Sequence, residues 1–397
     1  SVVVWSDPSV RNVALLTLCQ ALAMTGMTMN MTVTALTGAT LTIDPALATL
    51  PLALQMTATM CTTLPASLYM RRVGRQLGFS TGVLIGVTGA LIAAFAIFER
   101  SFGLFILGSM LIGSFQGFAI LYRYAAADTA SEKFRPRAIS LVLAGGVVAA
   151  LVGPELSKLS FDLFEPVMFA GSFIVIAVVQ GSSLIFLSMV RIPKPTAEER
   201  KSSGRPLSEI VRQPVFIIAA VGSMIGYGTM SFLMTATPLA MIDCGFTFPD
   251  AAFVIQWHAF SMFAPSFFTG WLIQKFGVLR IMLTGAFAYL LCVIINTSGI
   301  EMLQFFSGLV LLGIGWNFLF VGGTTLMTEA YRPEERAKVQ GLGDFLVFST
   351  VAAGSFSSGA IQNAFGWHIL NFGVLPLIVI VVGALLWFRS HRRSQIA

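Results

Sequence analysis

The stretch Gly270-Trp-Leu-Ile-Gln-Lys-Phe-Gly277 lies between two long apolar runs and has a weaker twin at Ser67-Leu-Tyr-Met-Arg-Arg-Val-Gly74, followed by Arg75 and Gln76. In each copy a small residue ends an apolar run, and a glycine follows seven positions later behind a basic residue. The copies stand 203 residues apart in a chain of 397, close to half its length. A small residue lets two backbones approach, and glycine permits a tight turn. A cation in a short loop stays on the cytoplasmic side of a bilayer. The pattern reads as one kind of loop between membrane helices, used twice.

Composition agrees. Hydrophobic residues make up 56% of the chain and charged residues 11%, where ordinary globular chains carry roughly 25% charged residues. Apolar runs of this length imply helices of about 20 residues that cross a membrane. Backbone groups in lipid must pair within their own segment, and the period-2 alternation of a barrel is missing, so the expected fold class is an all-α integral membrane protein. The net charge of +6 does not point to nucleic acid, because the cations sit in short loops without interleaved aromatics. Cys19, Cys61, Cys244 and Cys292 are scattered, with neither metal spacing nor a disulfide framework. No cofactor and no metal is expected. At the N-terminus, Asp7 and a lone Arg11 precede an apolar run too long for a cleaved signal.

Twelve spans are expected, at about 13–37, 47–69, 77–98, 102–126, 138–158, 166–190, 214–240, 250–273, 279–297, 302–328, 338–359 and 368–388. With both termini cytoplasmic, the inner loops and ends hold every one of the 24 Lys and Arg except Arg100 and Lys158. So lopsided a split fixes the orientation and supports the count. Residues 191–213 are the only long polar stretch, rich in Pro and charge, and read as a cytoplasmic linker with one surface helix near Leu207–Val211. The linker separates a six-helix bundle at 1–190 from a second at 214–397 with a short basic tail. Matching loops follow spans 4 and 10: Phe134-Arg-Pro-Arg-Ala138, and Tyr331-Arg-Pro-Glu-Glu-Arg-Ala337.

The repeated loop resembles the signature small-x-Leu-x-Asp-Arg-x-Gly of the major facilitator superfamily (MFS), which recurs after the second and eighth helices of that fold. Arg71 and Gln274 stand where that signature has its acid. The resemblance spans nearly the whole chain. It implies two pseudo-symmetric six-helix bundles, with a central cavity lined by spans 1, 4, 7 and 10. Gly153-Pro154 in span 5 resembles the core of the exchanger signature, although Ser157 and Lys158 replace the glycine pair that follows it. Gln116-Gly117 resembles another family motif whose arginine is here Gly113.

Polar side chains inside spans are costly in lipid and tend to face a cavity or another helix. Helical spacing gathers Thr17, Gln20, Met24, Met27, Met31 and Thr34 on one face of span 1, and Ser109, Gly113, Gln116 and Arg123 on one face of span 4. Spans 7 and 10 give Ser223, Tyr227, Met230, Met234 and Thr237, and Gly313, Asn317, Phe320 and Thr324. The expected substrate cavity is Gln20, Met24, Gln116, Arg123, Tyr227 and Asn317, while Ser, Thr and Gly at such places also serve as helix contacts. Glu155 and His258 are the candidates for proton coupling. Asp344 is expected to close a cytoplasmic gate on Arg71, with Arg123 as the competing partner. Gly74, Gly270, Gly277, Gly153 and Pro154 shape the motif segments.

No Ser/His/Asp set, paired carboxylates or phosphate-binding loop is present, which argues against an enzyme or an ATP-driven pump. The expected function is secondary active transport of a small organic solute across the inner membrane by a monomer, using alternating access. Gly153-Pro154 tips the direction to efflux by proton antiport. The alternatives are proton-coupled or facilitative uptake of a neutral or anionic solute, and a non-transporting assembly factor or receptor of the same fold. A planar or aromatic solute is expected rather than a polycation, since no carboxylate pair lies at mid-depth.

Overall fold

The computed structural model describes residues 8–44, 47 and 50–396; Asp7 and the start of predicted span 2 at residues 48 and 49 lie outside them. The helices are α1 (Pro8–Leu41), α2 (Leu50–Val73), α3 (Arg75–Phe98), α4 (Phe102–Ala119), α5 (Tyr122–Thr129), α6 (Arg135–Ser160), α7 (Ala170–Met189), α8 (Ala197–Lys201) and α9 (Leu207–Ile210). They continue as α10 (Pro214–Asp243), α11 (Phe248–Phe263), α12 (Ser266–Phe276), α13 (Val278–Ser298), α14 (Met302–Met327), α15 (Arg336–Phe372) and α16 (Leu375–Ile396). Among the described residues the only β-type pairing is an isolated bridge, Phe164 with Val167. The chain is an all-α multi-pass membrane protein.

Among the described residues, nine helices are long and apolar enough to cross a membrane. The other three predicted spans have specific departures. Span 2 is α2, diluted by Gln55, Thr57, Thr59, Thr62 and Thr63. Span 8 is broken into α11 and α12 at Ala264-Pro265, where proline removes a backbone donor. Span 11 is the polar first part of α15, which runs on to Phe372 through a non-helical Gly366. Span 4 is also broken, into α4 and α5 at Ile120-Leu121.

The glycines that close the two signature loops sit at the turns between helices. Gly74 has φ +91° between α2 and α3, and Gly277 has φ +88° between α12 and α13. A side chain would be strained at either. Burial is arranged for lipid: α3 turns Leu77, Leu84, Leu91, Phe95 and Phe98 outward and packs its Gly and Ala face inward. With lipid outside, such helices associate through close packing of small residues.

Two compact units emerge. Unit 1 comprises Ser1–Ser131, Leu141–Ser203 and Gln340–Phe345. Unit 2 comprises Glu132–Ser140, Gly204–Val339 and Leu346–Ala397. Each thus includes a short segment whose neighbours in sequence belong to the other. In unit 1 a core of Met29, Val33, Ala90, Ala93, Phe105, Ile112 and Phe173 joins α1, α3, α4 and α7. In unit 2 the hydroxyl of Tyr289 reaches from α13 to donate to the Gly226 carbonyl of α10.

Candidate functional site

Unit 1 holds a set of buried amides. In α1, Asn30 is fully buried and donates from Nδ2 to Oε1 of Gln55 in α2 at 2.8 Å. Thr34, one turn on, donates to Asn30 Oδ1 at 2.9 Å. Gln20 of α1 and Gln116 of α4 are also buried, and Gln116 Nε2 has no protein partner. Met24 is half-buried on α1.

Gly113 does not belong to a cavity stripe. A Cβ at this position would stand 2.2 Å from the Gln55 carbonyl oxygen, so α2 and α4 cross here with no room for a side chain. Thr59 of α2 donates to the Gly113 carbonyl at 2.8 Å across the same crossing. The arginine of the resembled motif is therefore replaced by a packing contact. Gly313, 200 residues later, plays the same part against Ser261 and His258 of α11, whose Ser261 Oγ would lie 2.0 Å from a Cβ.

Unit 2 holds a cluster of aromatic rings. Tyr227 of α10 lies 5.3 Å from Trp316 and 5.2 Å from Phe320 of α14, and 5.3 Å from Phe348 of α15, centroid to centroid. Trp316 stacks on Phe320 at 5.1 Å and meets Phe263 of α11 edge-on at 5.4 Å. Trp316 and Phe320 are buried, while Tyr227 and Phe348 are half-buried and form the open side of the cluster. The Trp316 Nε1 donor has no protein partner. Sequence reasoning found Tyr227 and Phe320 but missed Trp316, Phe348 and Phe263. The i, i+4 spacing of Trp316 and Phe320 was the available signal.

Asn317 departs from its expected place. It is fully buried, donates to the Met262 carbonyl and to Ser266 Oγ at 2.7 Å each, and accepts from Thr269 Oγ1 at 2.6 Å. Its amide ties α14 to the α11/α12 break, taking up the Met262 carbonyl in the last turn of α11 and the hydroxyls of Ser266 and Thr269 in α12. His258 is fully buried, with Nδ1 2.8 Å from the Leu309 carbonyl and Nε2 without a protein partner. Glu155 sits on the surface of α6 in an exposed pair with Lys158 at 3.0 Å. Gly153 packs against Thr28 of α1, where a Cβ would meet the threonine at 2.8 Å, and Pro154 lies inside α6.

The charged candidates are rearranged as well. Asp344, in the Gln340–Phe345 segment of unit 1, pairs with Arg123 of α5 rather than with Arg71, and both side chains are at most 3% exposed. Arg123 Nη1 reaches Asp344 Oδ2 at 3.3 Å and donates to the Ile120 carbonyl freed by the α4/α5 break. The guanidinium also lies 4.4 Å over the Tyr124 ring. Arg123 is thus committed to a buried ion pair and is not a free cavity cation. Beside it, Arg75 bridges Asp128 at 3.1 Å and Gln340 at 2.6 Å. Arg71 instead gives its Nη2 to backbone carbonyls at the end of α8, of Glu199 at 3.2 Å and Arg200 at 3.4 Å. Carbonyls left open at a helix end attract a cation.

In unit 2 the loop before α15 also holds an ion pair. Arg205 donates from Nε to Glu335 Oε2 at 2.9 Å and from Nη2 to Oε1 at 2.7 Å. Hydrogen bonding by Arg205 holds the Glu335 carboxyl down at about 2, against the opposing effect of burial. The Arg205 guanidinium is correspondingly raised, first by its hydrogen bond to Glu335.

The sequence profile of the Major Facilitator Superfamily matches residues 16–296 and 222–396. The riboflavin transporter RfnT of Brucella anthropi is 41% identical over 374 residues, 94% of each chain. The uncharacterized MFS-type transporter YdeG of Bacillus subtilis is 28% identical over 399 residues, covering 96% of this chain and 92% of that one. Among solved structures, FucP in the outward conformation superposes with a TM-score of 0.77 at 16% identity, over 96% of this chain and 99% of that one. The human organic anion transporter MFSD10 (TETRAN) gives 0.73 at 14% identity, over 96% and 100%. Two structural likenesses at such low identity speak for the fold, and the full-length sequence matches speak for descent: this chain belongs to the major facilitator superfamily and is a transporter of a small solute, not an enzyme.

Proposed function

We propose that this chain carries riboflavin, or a flavin sharing its tricyclic ring, across the membrane it spans, with uptake as the net direction. The observation that carries the reading is the 41% identity to a riboflavin transporter over 94% of both chains. The ring cluster of unit 2 supports it. A flat, polarisable tricycle gains about 0.5–1.5 kcal/mol per well-placed aromatic partner beyond the area it buries, and Tyr227 and Phe348 present such partners on the open side of the cluster. A neutral ring needs no carboxylate, in keeping with Glu155 and Asp344 being spent on Lys158 and Arg123.

Efflux by proton antiport is the weaker direction in this reading, because Gly153, half of the pair that favours it, has a packing role against Thr28. Residues 1–190 and 214–397 act as two six-helix bundles that alternate access, with the cation-rich loops and both termini on the cytoplasmic side. A single copy is the working unit.

The test is accumulation of labelled riboflavin by riboflavin-requiring cells that lack a carrier of their own. Saturable uptake, competed by unlabelled riboflavin, is expected. Tyr227→Ala should lower kcat/KM up to about tenfold, the equivalent of about 1.4 kcal/mol of lost stacking. Absence of riboflavin exchange in either direction across proteoliposomes would overturn the assignment.

A further inference from the structure

The segment 191–213, expected from its Pro and charge content to be a solvated tether, is fastened along its length. Its start is held to α1, where Asn12 accepts from the Arg191 amide at 3.0 Å and donates to the Arg191 carbonyl at 2.9 Å. Lys194 lies against Gly74, whose missing Cβ would stand 3.2 Å from Lys194 Cγ. The short helix α8 follows, closed by a capping box between Thr196 and Glu199. Arg71 then gathers the carbonyls of Glu199, Arg200 and Ser202. All of these partners belong to unit 1.

Beyond Ser203 the fastenings belong to unit 2. Glu335, fully buried, takes the Arg205 amide at 2.8 Å in addition to the guanidinium, and the Arg332 amide at 2.9 Å. Lys338 donates to the Arg205 carbonyl. Gln213 and Arg205 both donate to the Ala330 carbonyl, at 2.8 and 3.2 Å. Gly204 turns with φ +61°, and a Cβ there would meet Glu335 Cγ at 2.5 Å, so only glycine brings Arg205 onto its carboxylate.

We infer that residues 191–213 form a doubly clamped strap, with Arg71 as the clamp on unit 1 and Glu335 as the clamp on unit 2. Two residues, Ser203 and Gly204, lie between the last carbonyl held by Arg71 and the first amide held by Glu335. Three Cα–Cα steps of 3.8 Å limit the distance from Ser202 to Arg205 to about 11 Å at full extension. The strap therefore sets a ceiling on how far its two clamps can part while both hold. Arg71, at the place of an acid in the resembled loop, serves this strap; a carboxylate there would repel the carbonyls.

Amide hydrogen exchange on the full-length protein in detergent or nanodiscs tests the inference. In the unaltered protein, peptides covering 191–202 and 205–213 should both exchange far more slowly than unstructured chain. Glu335→Gln should speed exchange in 205–213 at least tenfold and leave 191–202 unchanged; Arg71→Ala should do the reverse. Arg205→Lys, which keeps the charge but loses the fork, should loosen 205–213 partway and covers the case in which Glu335→Gln fails to fold. Coil-like exchange across 191–213 in the unaltered protein would overturn the strap. So would any of the three variants loosening both blocks equally, or neither.

Discussion

Two short segments hold matching places in the two units and are fixed by opposite chemistry. Gln340–Phe345 sits in unit 1, where Gly341 packs on Leu64 and on Ser67, the small residue that opens the first signature copy. Glu132–Ser140 sits in unit 2, where the backbone of Arg137 packs on Gly270, the small residue that opens the second. The first segment is held by charge, through the buried Arg123–Asp344 pair and the Arg75–Asp128–Gln340 bridge. The second is held without charge: Ser140 Oγ donates to the Ser266 carbonyl and accepts from the Gly270 amide at 3.1 Å, while Gln274 donates to the Lys133 carbonyl. Ser266 and Gly270 are i and i+4 of α12, so the hydroxyl is inserted into a helical hydrogen bond that could close by itself. Repeat symmetry therefore fixes where the segments sit, but not how firmly. A buried pair is all-or-none, because either partner alone is an uncompensated charge, whereas a bridged hydroxyl can be lost with little left unsatisfied.

The largest effect should come from Asp344→Asn, which leaves Arg123 buried and unpaired. A loss of about 3–5 kcal/mol is expected, read as a large fall in Tm of the purified protein. The double change Arg123→Met with Asp344→Leu should recover most of it. If Asp344→Asn lowered Tm no more than Ser140→Ala, the contrast between the two segments would collapse.

Glu335→Gln asks whether charge or burial makes the difference, since Arg205 keeps 20% of its side chain exposed while Glu335 is sealed. A loss of about 1.5–3 kcal/mol at neutral pH is expected for a charged hydrogen-bonded group. Its pH dependence has a definite sign. The carboxyl lies at about 2 in the folded protein against an ordinary 4.5, so its contribution is complete above about 4.5 and disappears as the pH falls through about 2. The Tm difference between the unaltered protein and Glu335→Gln should be flat from pH 8 to 5 and close only in stronger acid. A difference that varied between pH 8 and 5 would assign the effect to another group.

Ser140→Ala should be the mildest, below about 1 kcal/mol, because α12 can restore its own bond between Gly270 and Ser266. A Tm loss matching that of Asp344→Asn would show that the hydroxyl is a structural pin after all.

The sequence made the membrane class legible because burial in lipid needs long apolar runs, and those are local. The two loop copies were legible because small and glycine positions repeat at a fixed offset, and Gly74 and Gly277 do carry the positive φ the turns require. Partners were not legible. Asn317 and Gly113 fall on faces that helical spacing assigns to a cavity, yet they meet Met262, Ser266 and Gln55 on neighbouring helices. Helical period gives the direction a side chain points along one axis; it does not say which helix stands there. Arg71 was read through the loop it resembles, and its carbonyl partners lie about 130 residues away, in the part of the linker before its one expected surface helix.

The ring cluster of unit 2 also has an optical consequence. Trp316 is almost sealed from water, its indole is packed against three other rings, and its N–H is not engaged by the protein. An indole in such surroundings emits toward the blue, and its emission overlaps the near-ultraviolet absorption of a flavin. A flavin arriving beside Tyr227 and Phe348 would drain that light by energy transfer, and would lose its own fluorescence by contact with the tyrosine. The carrier thus contains a donor lamp at the place where its cargo is proposed to rest, and occupancy could be followed in real time without attaching any dye.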